Sequence, residues 1–155
     1  MTRAAALAQA LDDFLAVSPE VEAAAVVSAD GLPMASALPA HVEEDRLAAM
    51  SAALLILGER AASGLGKGEL SQVLVEGDDG YVVLMSASDQ AVLVVVAATG
   101  AKAGLLLFEM RRMAARVADV MASTSPDEPE PRSDGIGTAE RAAATPETTL
   151  TSLQQ

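Results

Sequence analysis

The spacing of apolar residues changes period several times along the first 122 positions. Ala4, Leu7, Ala8, Leu11, Phe14 and Leu15 recur three or four residues apart, which predicts a helix ending before Ser18-Pro19. Val21 to Ser28 then reads as a strand, and Asp30-Gly31 between two apolar runs is a strong hairpin signal. The returning strand, Leu32 to Ala37, contains Pro33, whose missing amide places it at a sheet edge. A long helical pattern follows from Glu43 to about Leu65, with acidic residues in its first turn and glycines at its end. Three short strands come next, at Leu70 to Glu76, Tyr81 to Ala87 and Ala91 to Ala98. The last of these has no polar residue, so it should be covered on both faces and lie centrally. A final helix is expected over Gly104 to Met121, apolar on the side of Leu105, Phe108, Met113, Val117 and Val120.

The predicted order is therefore α-β-β-α-β-β-β-α, an α+β fold. Its five strands are joined mainly by hairpins, so the sheet is largely antiparallel, with three helices to cover its faces. From residue 123 the composition shifts to Pro, Ser, Thr, Asp and Glu with almost no large apolar side chains. Residues 2–122 are read as one domain and residues 123–155 as a disordered acidic tail.

The long helix changes the picture from fold to function. Leu47, Met50, Leu54 and Leu57 form one face suited to rest on the sheet. Ala49, Ala53 and Ile56, continuing to Arg60, form a second apolar face that needs a cover. The other two helices are required on the opposite side of the sheet. A second copy of the chain, packed helix against helix, is the expected partner.

Composition narrows the remaining classes. The chain is 51% hydrophobic with 2% aromatic residues, so its core must be built from Ala, Val, Leu, Ile and Met. It has no cysteine, which removes disulfides and thiolate chemistry. The net charge of −12 is spread over both segments and argues against nucleic acid. No secretory signal is apparent, since Asp12 and Asp13 interrupt the first apolar run. The apolar stretch Leu47 to Leu57 is too short to span about 30 Å of hydrocarbon, so a cytoplasmic location without membrane insertion is expected.

Candidate chemistry is sparse, and no catalytic residue, cofactor site or metal site is assigned. The single histidine, His41, stands beside Glu43 and Glu44, which cannot converge with it on one ion from a helix start. Gly64-Leu65-Gly66-Lys67-Gly68 lacks the first glycine (Ala61) and the hydroxyl residue (Gly68) of a phosphate loop, and it follows a helix instead of preceding one. Arg111, Arg112 and Arg116 cluster on the last helix and read as a local basic patch or as solvated side chains. A small-molecule sensor is the second reading. It would draw on the few polar strand residues, Tyr81, Ser86 and Gln90.

The element order and the turn motifs coincide with a known family. Ala29-Asp30-Gly31-Leu32-Pro33, Leu65-Gly66-Lys67-Gly68-Glu69-Leu70, Gly77-Asp78-Asp79-Gly80 and Gly104-Leu105 occur in the order and spacing of roadblock-type dynein light chain domains. The chain resembles the bacterial branch, which is similar to gliding-motility GTPase regulators, over about residues 4–121. The resemblance implies a profilin-like three-layer α/β/α sandwich and a homodimer. Its interface would use Ala49, Ala53, Ile56 and Arg60 of the long helix together with Ser71, Val73 and Val75 of the third strand. It further implies a non-catalytic scaffold or regulator of a small Ras-like GTPase. Related actinobacterial proteins are grouped with a sensor-kinase-like protein. The acidic tail departs from the minimal family pattern.

Overall fold

In a computed structural model, residues 1–123 are described; the acidic tail expected over residues 123–155 lies, apart from Ser123, outside them. The elements follow the predicted order: α1 (Arg3–Val17), β1 (Val21–Ser28), β2 (Pro33–Ala37), α2 (Glu44–Gly64), β3 (Gln72–Gly77), β4 (Gly80–Ser88), β5 (Ala91–Ala98) and α3 (Ala103–Ser123). The last helix therefore continues one residue past the expected domain boundary. All five strands form one sheet in the order β2-β1-β5-β4-β3, and every neighbouring pair is antiparallel. The polar-free β5 is the central strand. Pro33 opens β2, an edge strand, where an absent amide leaves no gap in a central ladder.

Alternation along the strands divides the core in two. Ala24, Val26, Leu93, Val95, Val83 and Met85 point to one side, where α1 supplies Leu7, Leu11 and Phe14 and α3 supplies Leu106, Met110, Met113 and Val117. Ala25, Val27, Val92, Val94 and Leu84 point to the other, where α2 alone supplies Leu47, Ala48 and Leu55. This is the expected three-layer α/β/α sandwich, with two helices on one face and one on the other.

Local chemistry fixes the ends. Thr2 caps α1, its hydroxyl oxygen accepting from the Ala5 amide at 3.1 Å. The Arg3 guanidinium donates to the Met121 carbonyl at 3.0 Å, tying the start of α1 to the end of α3. At the end of α2, the Lys67 amide donates to the Ala62 carbonyl at 2.7 Å and the Gly66 amide to Ser63 at 3.2 Å, a glycine-terminated helix stop.

The hairpin expected at Asp30-Gly31 joins β1 to β2 through Ala29 to Leu32, with positive φ at Gly31. Two details depart from expectation. Leu105 and Phe108 are exposed, and the buried face of α3 is Leu106, Met110, Met113, Ala114 and Val117. Helix α2 runs for 21 residues, so by length and composition it is long and apolar enough to cross a membrane, which the shorter stretch Leu47 to Leu57 did not suggest. In the fold it forms one layer of the sandwich.

Candidate functional site

Helix α2 is seated on the sheet by its small residues. Leu47, Ala48, Ser51, Ala52 and Leu55 are buried, a stripe with the three- and four-residue spacing of one helix face. Gly58 continues that approach, since a Cβ there would stand 2.8 Å from Val73 Cγ2 and 3.1 Å from Leu70 Cδ2. This seating corrects the expected rotation of the helix. Met50 and Leu57, assigned to the sheet side from their hydrophobicity, are 49% and 61% exposed. The physical reason is distance. Alanine and serine let the helix backbone come close to an alanine-rich sheet, and larger side chains at those positions would hold it away.

The outward face that results is broad. Ala49, Ala53, Ile56 and Arg60 are all exposed, as the second-face reading requires, and Met50 and Leu57 join them. Ile56 is 46% exposed. Among the described residues nothing covers this surface. Monomeric surfaces seldom leave several large aliphatic side chains contiguous in water.

Beside this helix lies an open sheet edge. Strand β3 is hydrogen-bonded to β4 alone, so its other side presents unpaired amides and carbonyls. Val73 pairs with Leu84 and Val75 with Val82, and both partners belong to the α2 side of the sheet. The two valines therefore share a side with the helix. Val73 is half-buried against α2, whereas Val75 is exposed. Ser71 is exposed and stands just before the strand, not within it. The fold thus brings the seven sequence-assigned positions to one side of the molecule. Met50 and Leu57 were missed. The signal that could have found them is the run of small residues Ala48, Ser51 and Ala52, which marks the seated face.

The polar groups are dispersed. His41 is exposed in the loop before α2, and Glu44 accepts from the Ser36 hydroxyl. No group of three or more His, Asp or Glu side chains capable of holding a metal ion occurs among the described residues. Ser86 lines a groove of about 800 Å³ between the C-terminal half of α2 and the β4–β5 turn. Gln90 lines a different groove beside the β1–β2 loop, and Tyr81 packs against the α1/α3 core. The three residues a small-molecule site would draw on do not converge.

Comparison with known proteins agrees with this architecture. The family model for the Roadblock/LC7 domain matches residues 7–97. An uncharacterized protein of Methanocaldococcus jannaschii, MJ1340, is 33% identical over 97 residues, covering 63% of this chain and 84% of that protein. The crystal structure of a Roadblock/LC7 domain from Streptomyces avermitilis superposes with a TM-score of 0.70 at 26% identity, covering 75% of this chain and 98% of that one. The gliding protein MglB from Thermus thermophilus shares the fold, with a TM-score of 0.70 at 17% identity, covering 80% of this chain and 94% of that one.

Proposed function

The chain belongs to the Roadblock/LC7 domain family, and from that premise we propose that it is a non-catalytic, homodimeric interaction module that scaffolds or regulates a small Ras-like GTPase in a bacterial cytoplasm. The observation that carries this reading is the juxtaposition of α2 and β3. An apolar helix face and an open strand edge lie side by side on one surface, and a two-fold partner would cover both at once. Helix α2 would pack on its own copy through Ala49 and Ala53, whose small side chains permit close approach, with Met50, Ile56 and Leu57 around them. The two β3 strands would pair edge to edge, extending one sheet into the other.

The dimer would present a composite surface to the GTPase. The interaction is expected to depend on shape and charge at that surface, since no assigned group of this chain does chemistry on the nucleotide. A sensor-kinase-like protein is a further candidate component of the same assembly.

Two measurements test the reading. Light scattering on the full chain at micromolar concentration should give twice the chain mass. Affinity capture from the native host should recover a Ras-like GTPase, and the purified pair should then associate in a way that depends on the bound nucleotide. A dimer that binds no such GTPase in either nucleotide state would refute the regulatory role and leave the dimer intact.

A further inference from the structure

Outside the α2 face and the β3 edge, two further surfaces of the domain have opposite chemistry. The first is an outward ridge on α3. Leu105, Phe108 and Arg112 recur at three- and four-residue spacing and share one flank of the helix, with Arg111 beside them. Leu105 is 53% exposed and Phe108 54%. Arg111 and Arg112 are exposed and make no ion pair among the described residues. Residues 102–116 carry four Lys or Arg and one Glu, whereas the rest of positions 1–122 carries four basic and fifteen acidic residues. The ridge is thus the most basic stretch of an acidic domain. Its neighbouring carboxylates, Asp13 and Glu109, belong to the cleft between α1 and α3, and Asp13 is already held by Arg116 at 2.9 Å.

The second surface is the groove of about 800 Å³ between the C-terminal half of α2 and the β4–β5 turn. Its floor is apolar, with Leu55 buried and Leu70 half-buried, and Ile56 borders both this groove and the outward face of α2. Glu59, Glu69 and Asp89 line it, all exposed, and none of them makes an ion pair among the described residues. No Lys, Arg or His stands among the lining residues. An apolar floor rimmed by carboxylates of one sign calls for an apolar side chain with a cation close behind it. The α3 ridge has that arrangement, since Phe108 stands one helical turn before Arg112.

We propose that the α3 ridge of one copy docks in the α2/β4–β5 groove of a second copy. Phe108 would cover Leu70, and the Arg111 and Arg112 guanidinia would donate to the carboxylates of Glu59, Glu69 and Asp89, a charge-assisted arrangement. The two surfaces differ, so the contact is head to tail: each copy offers one ridge and one groove, and successive copies can be added. It uses neither Ala53 nor the β3 edge, and it would join α2-paired dimers to one another. The overall negative charge of two copies opposes their approach. At about 0.15 M salt, however, the Debye length is about 8 Å, and the groups in contact decide the outcome. The contact is small and therefore weak. It shows at roughly hundreds of micromolar and leaves the species present at micromolar concentration as they are.

The test is sedimentation velocity of the full chain at rising concentration. The parent should go on to species larger than its micromolar form. Arg112→Glu and Glu59→Arg should each weaken that step by about tenfold or more, although they move the net charge in opposite directions. An equimolar mixture of these two variants should regain it, because the intact groove of the first meets the intact ridge of the second. Phe108→Ser should lose the step as well. All three positions are exposed, and circular dichroism checks that the fold persists. Ala53→Glu, which addresses the α2 pairing, should leave this step in place, so the two contacts fail separately. No larger species in the parent, or a mixture that associates no better than its components, would overturn the proposal. The groove would then fall to a basic segment of a different protein, and the assignment to a second copy would be wrong.

Discussion

Gly58 of α2 and Val73 of β3 approach so closely that a methyl group on Gly58 would stand 2.8 Å from Val73 Cγ2. That contact fixes the height of the helix over the edge strand, and so aligns the outward face of α2 with the open edge of β3. In Gly58→Ala, a gain of about 1 kcal/mol in helix propensity opposes overpacking that typically costs about 1–3 kcal/mol. Val73 is β-branched and cannot easily turn aside. A net destabilisation of about 1 kcal/mol is expected in urea unfolding. In the double variant Gly58→Ala/Val73→Ala the two costs should add to less than their sum, because the second change removes the clashing methyl. Strict additivity would show that the contact is relieved elsewhere.

Gly80 makes a tighter demand. Its φ is 149°, and a Cβ there would stand 2.2 Å from the carbonyl oxygen of Ala97 on the central strand. Backbone cannot step aside as a side chain can. Gly80→Ala should cost about 3 kcal/mol, combining strain and overpacking. Gly100 is the control, since a Cβ there meets nothing within 4 Å. Its alanine variant should lie within about 0.5 kcal/mol of the parent in the same unfolding experiment.

These two glycines show what can be read from a sequence and what cannot. The order of elements was legible because each strand alternates or runs wholly apolar, and because Pro33 and the polar-free β5 announce edge and centre. The rotation of the helices was not. Ranking by hydrophobicity sends Met50, Leu57, Leu105 and Phe108 inward, yet all four are exposed. In α2 the close approach is made by Ala48, Ser51 and Ala52, residues that a hydrophobicity scale ranks below leucine. A helix that is apolar nearly all round carries little directional signal. The second face was therefore legible as a surplus of apolar residues, while its exact membership depended on packing distance.

The Asp13–Arg116 pair gives a pH signature. The Arg116 guanidinium, and then the Gln9 amide, hold the Asp13 carboxyl below its ordinary value. A carboxyl whose folded-state pKa is depressed adds stability above its unfolded value of about 3.9, and that stability is lost as pH falls through the folded value. Both side chains are about half exposed, so salt screens the contribution and it is small. Urea midpoints for the parent and for Asp13→Asn should differ at pH 6, and the gap should close only as pH falls past the unfolded value of about 3.9 and on through the lower folded value. A gap that persists unchanged at low pH would mean that the substitution acts by some route other than this charge.

The surface formed by α2 and β3 makes the sharpest demand on a second copy. Ala53 is exposed in the protomer and central on the outward face of α2, so a glutamate there is free to be solvated as long as the chain is alone. Buried against the same helix of a partner, it would be an unpaired charge costing about 3–5 kcal/mol. That corresponds to a dissociation constant raised by roughly two to four orders of magnitude. Sedimentation equilibrium should therefore find a dimer for the parent and a monomer for Ala53→Glu at the same micromolar concentration, with superimposable far-UV circular dichroism. Arg60, at the end of this face, should behave differently. Its alanine variant is expected to stay dimeric, since a side chain at a solvated rim contributes less than about 1 kcal/mol. If Ala53→Glu leaves the mass unchanged, any dimer must form through another surface. The apolar face of α2 would then be covered by a protein other than a second copy of the chain.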